Sequence, residues 1–449
     1  MTKDLAYADY SNPESLRTLV QHTLEITKAK GASSASASAG ENSGLSVVVR
    51  MGDVETIEHH RSKHMGVTVY FGQRTGTATT SDLSPKSIQE TVAAACRIAR
   101  YTQEDNCAGL ADPSLMATSI PDLELYRPWQ LSPQAATDLA LETEQAARDT
   151  DNRITNSEGA AVTTYRGCSV YGNTHGFIGD YAGTRHSISA TMIAEDGTDK
   201  QRDYWYSTSR YSNELSTPKT VGERAAIRAI KRLNAVKIST RDVPILFPAE
   251  IATHLFSSFT TAVKGSSLYR DASFLVDSLG DMIFSDHVQV HERPLLIGGL
   301  GSSPFDGEGV QTTDRTLVKD GILQSYVLDS YSARKLNMET TGNAGGIHNL
   351  VVASGSKGFD GLVREMDTGL VVSELIGSGI NMVTGDYSRG AAGFWVENGE
   401  LQYPVHEITI AGNLRDMFRD IVAIGNDIED RSNYKTGSVL IGQMTVAGD

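Results

Sequence analysis

Residues 385–390 concentrate polar side chains between two glycines. The run places a carboxylate at Asp386, hydroxyls at Tyr387 and Ser388, and a guanidinium at Arg389. These groups can hydrogen-bond to carboxylates or carbonyls, and the flanking glycines allow a tight turn. We therefore expect a charged turn in which Tyr387, Ser388 and Arg389 contact a substrate or a partner. The alternative is that Arg389 pairs with Asp386 or another acid and only locks the meander.

Three other segments carry residue types found in metal or anion sites. Residues 59–64 include histidines four positions apart, but they lie between predicted strands, where that spacing does not bring two imidazoles together, so we expect a solvated loop. Residues 306–309 supply only two carboxylates, which favours a turn over a calcium site. In residues 342–349, backbone N–H groups and His348 could bind an anion or a peptide carboxylate. Alternatively, His348 anchors neighbouring loops across a glycine turn.

The polar run belongs to a predicted β-meander over residues 373–414. Asn398-Gly399 stands between two apolar runs, which predicts a type I′ turn that pairs residues 393–396 with residues 401–405. Residues 406–411 form a further predicted strand. Asn413 is expected to cap a helix over residues 414–422.

Upstream, a helix–strands–helix order occurs twice. The first cycle has helices near residues 13–31 and from residue 85 with four strands between them, and the second has helices near 133–148 and 219–233 around strands in 154–211. The rest is rich in strands and glycine turns. The pattern predicts an α+β fold in which two N-terminal helix–antiparallel strands–helix modules, residues 1–115 and 120–235, precede a β-rich antiparallel C-terminal domain, residues 240–449.

The basic end of the helix near residues 219–233 could suggest nucleic-acid binding. Its side chains also suit the helix dipole and a solvated face, which we favour for Arg224, Arg228, Lys231 and Arg232. The formal net charge of −15 opposes attraction to phosphate backbones, so we expect no nucleic-acid partner.

Composition also limits the cellular setting. The chain has three cysteines, an odd number at spacings that fit neither a disulfide framework nor a zinc pair, so we expect a reducing cytoplasm. No signal-type leader and no long apolar run is visible in the sequence. We therefore expect neither secretion nor membrane insertion.

The sequence resembles the TldD/PmbA family, and more closely its PmbA (TldE) branch. Residues 385–414, GDYSRGAAGFWVENGELQYPVHEITIAGNL, look like the C-terminal signature of that family. Further agreement spans most of residues 245–449 and lies in residues 303–310, 319–323 with 330–336, 341–349 and 425–433.

The resemblance implies a zinc site in the TldD branch, from which this sequence departs. That branch has a His-Glu-x-x-x-His helix and a C-terminal cysteine as ligands, and its zinc activates water while the glutamate accepts a proton. The matching positions here hold Ala249 in place of the first histidine and Thr436 in place of the cysteine, while Glu250 and His254 remain. One imidazole cannot complete such a site, so we expect Glu250 and His254 to be vestigial or structural and this chain to hold no metal.

The resemblance also implies a function shared between two chains. This chain would be the PmbA/TldE-type subunit of a cytoplasmic metalloprotease, catalytically inactive when isolated, and zinc would be held by a TldD-like partner. Implied substrates are unfolded or short peptides, including microcin precursors and antitoxins. We also expect a homodimer when the partner is missing. The alternative is a non-enzymatic regulator that binds a protein such as DNA gyrase, and a weaker one is an independent peptidase with a relocated metal site.

Overall fold

The first half of the chain folds around one long sheet. The computed structural model describes residues 13–448. In the N-terminal half, residues 13–233, the helices are α1 Pro13–Ala29, α2 Pro85–Tyr101, α3 Pro133–Arg148 and α4 Pro218–Lys231, and the strands are β1 Ser34–Arg50, β2 Asp53–Phe71, β3 Arg74–Thr80, β4 Ile154–Asn173, β5 Ile178–Asp196 and β6 Asp199–Ser209. The strands form one antiparallel sheet in the order β3-β2-β1-β4-β5-β6.

Four helices cover one face of this sheet in two pairs. Ala37 of β1 is buried in a core shared with α1 and α2, whereas Val47 of the same strand is buried in a core shared with α3 and α4. The even spacing of these residues puts both on one face of the strand. The sheet is therefore continuous across the two N-terminal helix–strands–helix modules.

The C-terminal half, residues 241–448, contains two sheets. Its helices are α5 Ala249–Ala262, α6 Gly265–Leu268, α7 Ser330–Lys335, α8 Phe359–Met366 and α9 Leu414–Arg419, and its strands are β7 Arg241–Phe247, β8 Val290–Glu292, β9 Arg315–Lys319, β10 Ile322–Leu323, β11 Leu350–Val352, β12 Gly369–Ile376, β13 Asp386–Glu397, β14 Glu400–Asn413, β15 Ile421–Ile424, β16 Tyr434–Lys435 and β17 Val439–Ala447. The sheet orders are β14-β13-β12-β7-β17-β15 and β10-β9-β8-β11-β16. The predicted α+β class is confirmed, and two parallel pairs, β7 with β12 and β11 with β16, interrupt the antiparallel pattern.

Helix α5 lies in the main core of the C-terminal half. Phe256 and Phe259 are fully buried in a cluster that also contains residues of β12, β13 and β17. The Phe259 ring meets the Phe284 ring edge-on at 5.2 Å, and Phe284 stacks on Phe418 at 4.5 Å. This aromatic packing fixes the position of α5, which carries Glu250 and His254.

The structure confirms the Asn-Gly hairpin, but it places the charged segment in a strand and not in the expected turn. Asn398 has φ 55°, Gly399 has φ 71°, and Val396 pairs with Leu401. Residues 386–389, however, lie inside β13 and not in a turn, because they continue the ladder with β14. Asn413 caps α9 as predicted, but that helix ends at Arg419, and Ile421 begins β15.

Residues 59–64 are also strand and not loop, because β2 runs unbroken from Asp53 to Phe71, so three strands and not four lie between α1 and α2. His60 and His64 stand opposite Gly44 and Gly40 of β1. Each imidazole occupies the space that a side chain at the opposing glycine would need. This complementary packing explains how a histidine-rich segment can hold strand geometry.

Within residues 13–448, we find no helix with both the length and the apolar character needed to cross a bilayer.

A buried histidine should make stability depend on pH. The His186 ring bonds to Thr164 Oγ1 at 2.8 Å and to the Arg127 carbonyl oxygen at 2.9 Å, and burial lowers its pKa below the ordinary 6.5. The unfolded chain therefore binds the proton more readily. As pH falls below about 6.5, this group should lower stability by at most about 1.4 kcal/mol per pH unit, and it causes no such loss above that pH.

Thermal unfolding across this pH range tests the assignment. His186→Asn should lose part of the acid-side decline, whereas His175→Asn, a change at an exposed histidine, should retain it. Equal pH slopes for the wild type and His186→Asn would rule the assignment out.

Candidate functional site

Helix α5 presents two ionisable side chains away from its buried face. Pro248 precedes the helix. The apolar residues of α5 recur every three or four positions and are buried in the core. Glu250 and His254 are four positions apart and share the opposite face. Glu250 is part-buried and His254 is exposed, so this face of α5 opens toward solvent.

A guanidinium from the N-terminal half holds Glu250. Arg228 Nη1 of α4 donates to Glu250 Oε1 at 2.7 Å, and Arg228 Nε donates to Asp203 Oδ1 of β6 at 3.2 Å. Arg232 also pairs with Asp203 and with Glu374 of β12. Asp203 is only 5% exposed, so these are part-buried ion pairs and not surface contacts.

The expected solvated face at the basic end of α4 holds for Arg224 and Lys231, which are exposed, and is wrong for Arg228 and Arg232. The Arg228 and Arg232 side chains are only 23% and 15% exposed, because α4 lies where the two halves of the chain meet and their carboxylate partners come from both halves. Arg224 stacks on Trp205 at 3.8 Å, and Arg431 stacks on the same ring at 3.7 Å. The cluster fastens α4 to α5 and to the C-terminal half.

A cavity of about 680 Å³ lies beside this cluster. Its walls come from β6, from the loop at residues 296–300 and from residues 430–435. Strand β6 is the last strand of its sheet, and its outer edge pairs with no other strand in the described part of the chain. The Tyr206 carbonyl accepts from Arg431 Nη1 at 3.2 Å on that side. The cavity is polar and bordered by an open strand edge.

The residues present do not fit a catalytic zinc site. Ala249 has no donor atom, and Thr436 is fully buried with its hydroxyl donating to the Gly437 carbonyl oxygen at 3.0 Å. Glu250 is engaged by Arg228, so it is not free to accept a proton from water. Across residues 13–448, no three His, Cys, Asp or Glu side chains are grouped as metal ligands would be. We therefore derive no metal-assisted step for this chain.

Tyr387 and Arg389 lie on the face of β13 that turns toward the core containing α5. Tyr387 belongs to that core, and Arg389, two positions on, shares its face. Burial raises the pKa of Tyr387 to about 12, although the nearby Arg389 guanidinium acts in the opposite direction. Partial desolvation and then the charge of Arg389 lower the pKa of His254. The structure thus brings Tyr387, Arg389 and His254 together.

Ser388 points away from this group. It alternates with its two neighbours along β13 and is exposed, while its N–H donates to the Gly379 carbonyl oxygen at 2.7 Å. The expected alternative of an Asp386 to Arg389 pair is wrong, because these residues project from opposite faces of the strand. Asp386 instead accepts from Thr384 Oγ1 at 2.6 Å and from Asn413 Nδ2 at 3.1 Å.

His348 lies in a separate, buried network. Its Nδ1 is 2.8 Å from Glu292 Oε1, and its backbone N–H donates to the same oxygen at 3.0 Å. Asn343 and Arg315 complete the bonding of Glu292, which has no exposed surface. This geometry favours the anchoring alternative for His348. In the same region Asp306 accepts backbone N–H groups from Ala344, Glu308 and Val310, which is the expected turn.

The whole architecture matches domains of a metallopeptidase family. Models of the PmbA/TldA metallopeptidase domain 1, central domain and C-terminal domain match residues 35–99, 126–233 and 240–448. The chain is 49% identical to metalloprotease PmbA of Escherichia coli O157:H7 over 96% of both chains. This chain therefore belongs to the PmbA/TldD family, on its PmbA (TldE) side.

Two further relatives show how far the similarity in structure and in sequence extends. A Bacteroides thetaiotaomicron crystal structure, described as a proposed modulator of DNA gyrase, superposes with a TM-score of 0.92 at 28% identity and covers 98% of this chain and 100% of its own. A metalloprotease TldD homolog of Haemophilus influenzae is 21% identical over 88% of this chain and 85% of its own. Relatives named PmbA and TldD thus both align with most of this chain.

The arginine cluster around Glu250 could not be predicted from the sequence. Arg228 and Arg232 were assigned to solvent, and Trp205 and Arg431 were not considered. Their partners lie between 22 and 226 positions away along the chain, a separation at which no local spacing pattern exists. The one indication in the sequence that this helix face is not simply solvated is the high density of arginines among the alanines of α4.

Substitutions of Arg228 and Arg389 should differ in their effect on stability. Arg228→Gln leaves Glu250 and Asp203 with fewer donors and should cost about 1–3 kcal/mol. Arg389→Gln leaves no carboxylate unpaired, so it should be neutral or slightly stabilising. Denaturant unfolding of both variants tests this contrast. Equal destabilisation by the two substitutions would show that Arg389 has a structural acid partner.

Proposed function

We propose that this chain is the non-catalytic PmbA/TldE-type subunit of a cytoplasmic metalloprotease. A TldD-like chain supplies the zinc, and the pair cleaves unfolded or short peptides, including the microcin precursors and antitoxins that the family resemblance implies. The observation that carries the proposal is the position of Glu250 on a complete peptidase scaffold. An arginine holds this glutamate, and two ligand positions are occupied by Ala249 and Thr436.

The cavity beside β6 supports a peptide-handling role. An extended peptide can add to an open strand edge through main-chain hydrogen bonds, which a folded protein cannot offer because its own backbone groups are paired. Residues 205–209 of β6 line the cavity, and the opposite wall carries Gly298 and Gly299. A binding mode based on the main chain would select for unfolded substrates and tolerate many sequences.

A second open edge supports association with a related chain. Strand β3 pairs with β2 only from Met65 onward, so in residues 13–448 no strand pairs with this edge of β2 over residues 53–64. Val54 and Ile57 are 46% and 47% exposed there, beside the core under α3 and α4. An open strand edge with exposed apolar residues is a surface for strand addition. We propose that it serves the TldD-like partner and, without that partner, a second copy of this chain.

The first test concerns metal content. Purified in metal-free buffer, the isolated chain should contain well under one zinc per subunit, because only His254 remains of the three ligand positions. Elemental analysis gives the answer, with the TldD-like partner as positive control. Stoichiometric zinc that disappears in His254→Ala would contradict the proposal.

The second test mixes the two chains. Hydrolysis of casein or a short peptide should appear only in the mixture and should stop when a chelator removes zinc. Light scattering on each chain and on the mixture reports whether a complex forms and whether the isolated chain is a dimer. Activity of this chain alone would contradict the proposal, and activity in no sample would favour the regulatory alternative.

A further inference from the structure

Arg389 is a part-buried cation without a counter-charge. In residues 13–448 no ion pair joins its guanidinium to a carboxylate, although the chain carries a net charge of −15. Near α5, Arg228 and Arg232 bind Asp203, Arg431 binds Glu429 at 2.9 Å, and the exposed Arg224 stacks on Trp205. An uncompensated charge is costly to bury, so its retention calls for a partner outside this chain.

A second observation at the same place points to a ligand. Only four buried side-chain polar atoms in the described residues have no hydrogen-bond partner, and two of them are Arg389 Nε and Tyr387 Oη. Tyr387 is 97% buried, with only 3% of its surface exposed. The Tyr387 hydroxyl lies beside the Arg389 guanidinium and can accept from it, so its own O–H and the remaining guanidinium N–H groups form a pair of donors without another partner in residues 13–448.

The surroundings determine what could bind there. Both unpaired groups can donate hydrogen bonds, and the guanidinium adds a permanent positive charge and a planar arrangement of N–H groups. Such a set matches the two oxygens of a carboxylate. Arg389 is only part-buried and neighbouring His254 on α5 is exposed, so a ligand can approach the guanidinium from solvent. Asp386 does not compete, because it projects from the other face of β13 and is bonded to Thr384 and Asn413.

We propose that Arg389 and Tyr387, beside His254, bind a carboxylate group of a peptide. The proposal deepens the proposed function and rests on it for the choice of a peptide as ligand. The carboxylate can come from the peptide C-terminus or from an acidic side chain, since both present the same two oxygens. In this chain a guanidinium therefore provides the positive charge beside the α5 face that bears Glu250 and His254.

Peptide binding to the isolated full chain tests the inference without the partner. Three fluorescein-labelled probes suffice: penta-alanine with a free C-terminal carboxylate, its C-terminal amide, and the amide with one alanine replaced by glutamate. Fluorescence anisotropy should show the free acid binding about tenfold or more tightly than the plain amide. Tight binding of the glutamate amide would assign the carboxylate to a side chain, and weak binding would assign it to the terminus.

Variants locate the effect. Arg389→Gln should abolish the preference for a carboxylate, Arg389→Lys should retain part of it, and Tyr387→Phe should weaken the acid probe by about three- to tenfold. Arg97→Gln is the matched control, because it removes the same charge from an exposed position on α2. Unfolding curves like that of the wild type show that each variant is folded.

Two results would overturn the inference: equal affinity for the acid and for both amides, or an unchanged carboxylate preference in Arg389→Gln. Failure of the proposed function gives a different pattern. If the chain prefers the carboxylate through Arg389 but never activates a TldD-like partner, the binding site stands and the proposed function is contradicted. If the chain activates the partner but shows no carboxylate preference, only the binding site is contradicted.

Discussion

The Arg228 guanidinium, placed between Asp203 and Glu250, is the contact on which the arrangement of the two halves depends. It joins α4 and β6 of the N-terminal half to the first turn of α5. Other arginines also join the two halves, by donating to main-chain carbonyl oxygens. Arg210 donates to the carbonyl oxygens of Gly299 and Leu300, and Arg334 donates to those of three residues in 107–110. The planar fork of arginine suits such multiple bonding.

This mode of attachment leaves room between the halves. The large apolar clusters lie within each half and not across the boundary, since the core around α5 draws its residues from 238–446 and the two cores under the N-terminal helices draw theirs from 16–233. The boundary is mainly polar, and its apolar contacts are a small cluster of Ala111, Met116 and Val310 and the rings around Phe305. The cavity beside β6 is a consequence, because no apolar packing fills that space.

Much of the fold could be predicted from local patterns, whereas the site could not. The Asn398-Gly399 turn and the Asn413 cap depend on backbone conformations that a few residues decide, and both were found. Residues 386–389 and 59–64 were placed outside strands because their polarity resembles that of loops. In the structure the ladder with β14 and the packing of histidines over glycines outweigh that tendency. The partners of Arg228 are distant in sequence, so only the folded chain identifies them.

Under the proposed function, the contrast between Arg228 and Arg389 explains how a chain of this family can bind peptides without hydrolysing them. Arg228 has two carboxylate partners, and one of them is the glutamate that would otherwise serve as a base. Arg389 has no carboxylate partner in residues 13–448. A guanidinium stays protonated at any physiological pH, so it attracts carboxylates and carbonyls but cannot lower the pKa of a bound water as zinc does. With Glu250 paired to one arginine and a positive charge supplied by another, the α5 face fits the proposed role, in which this chain holds a peptide and the partner chain carries out the chemistry.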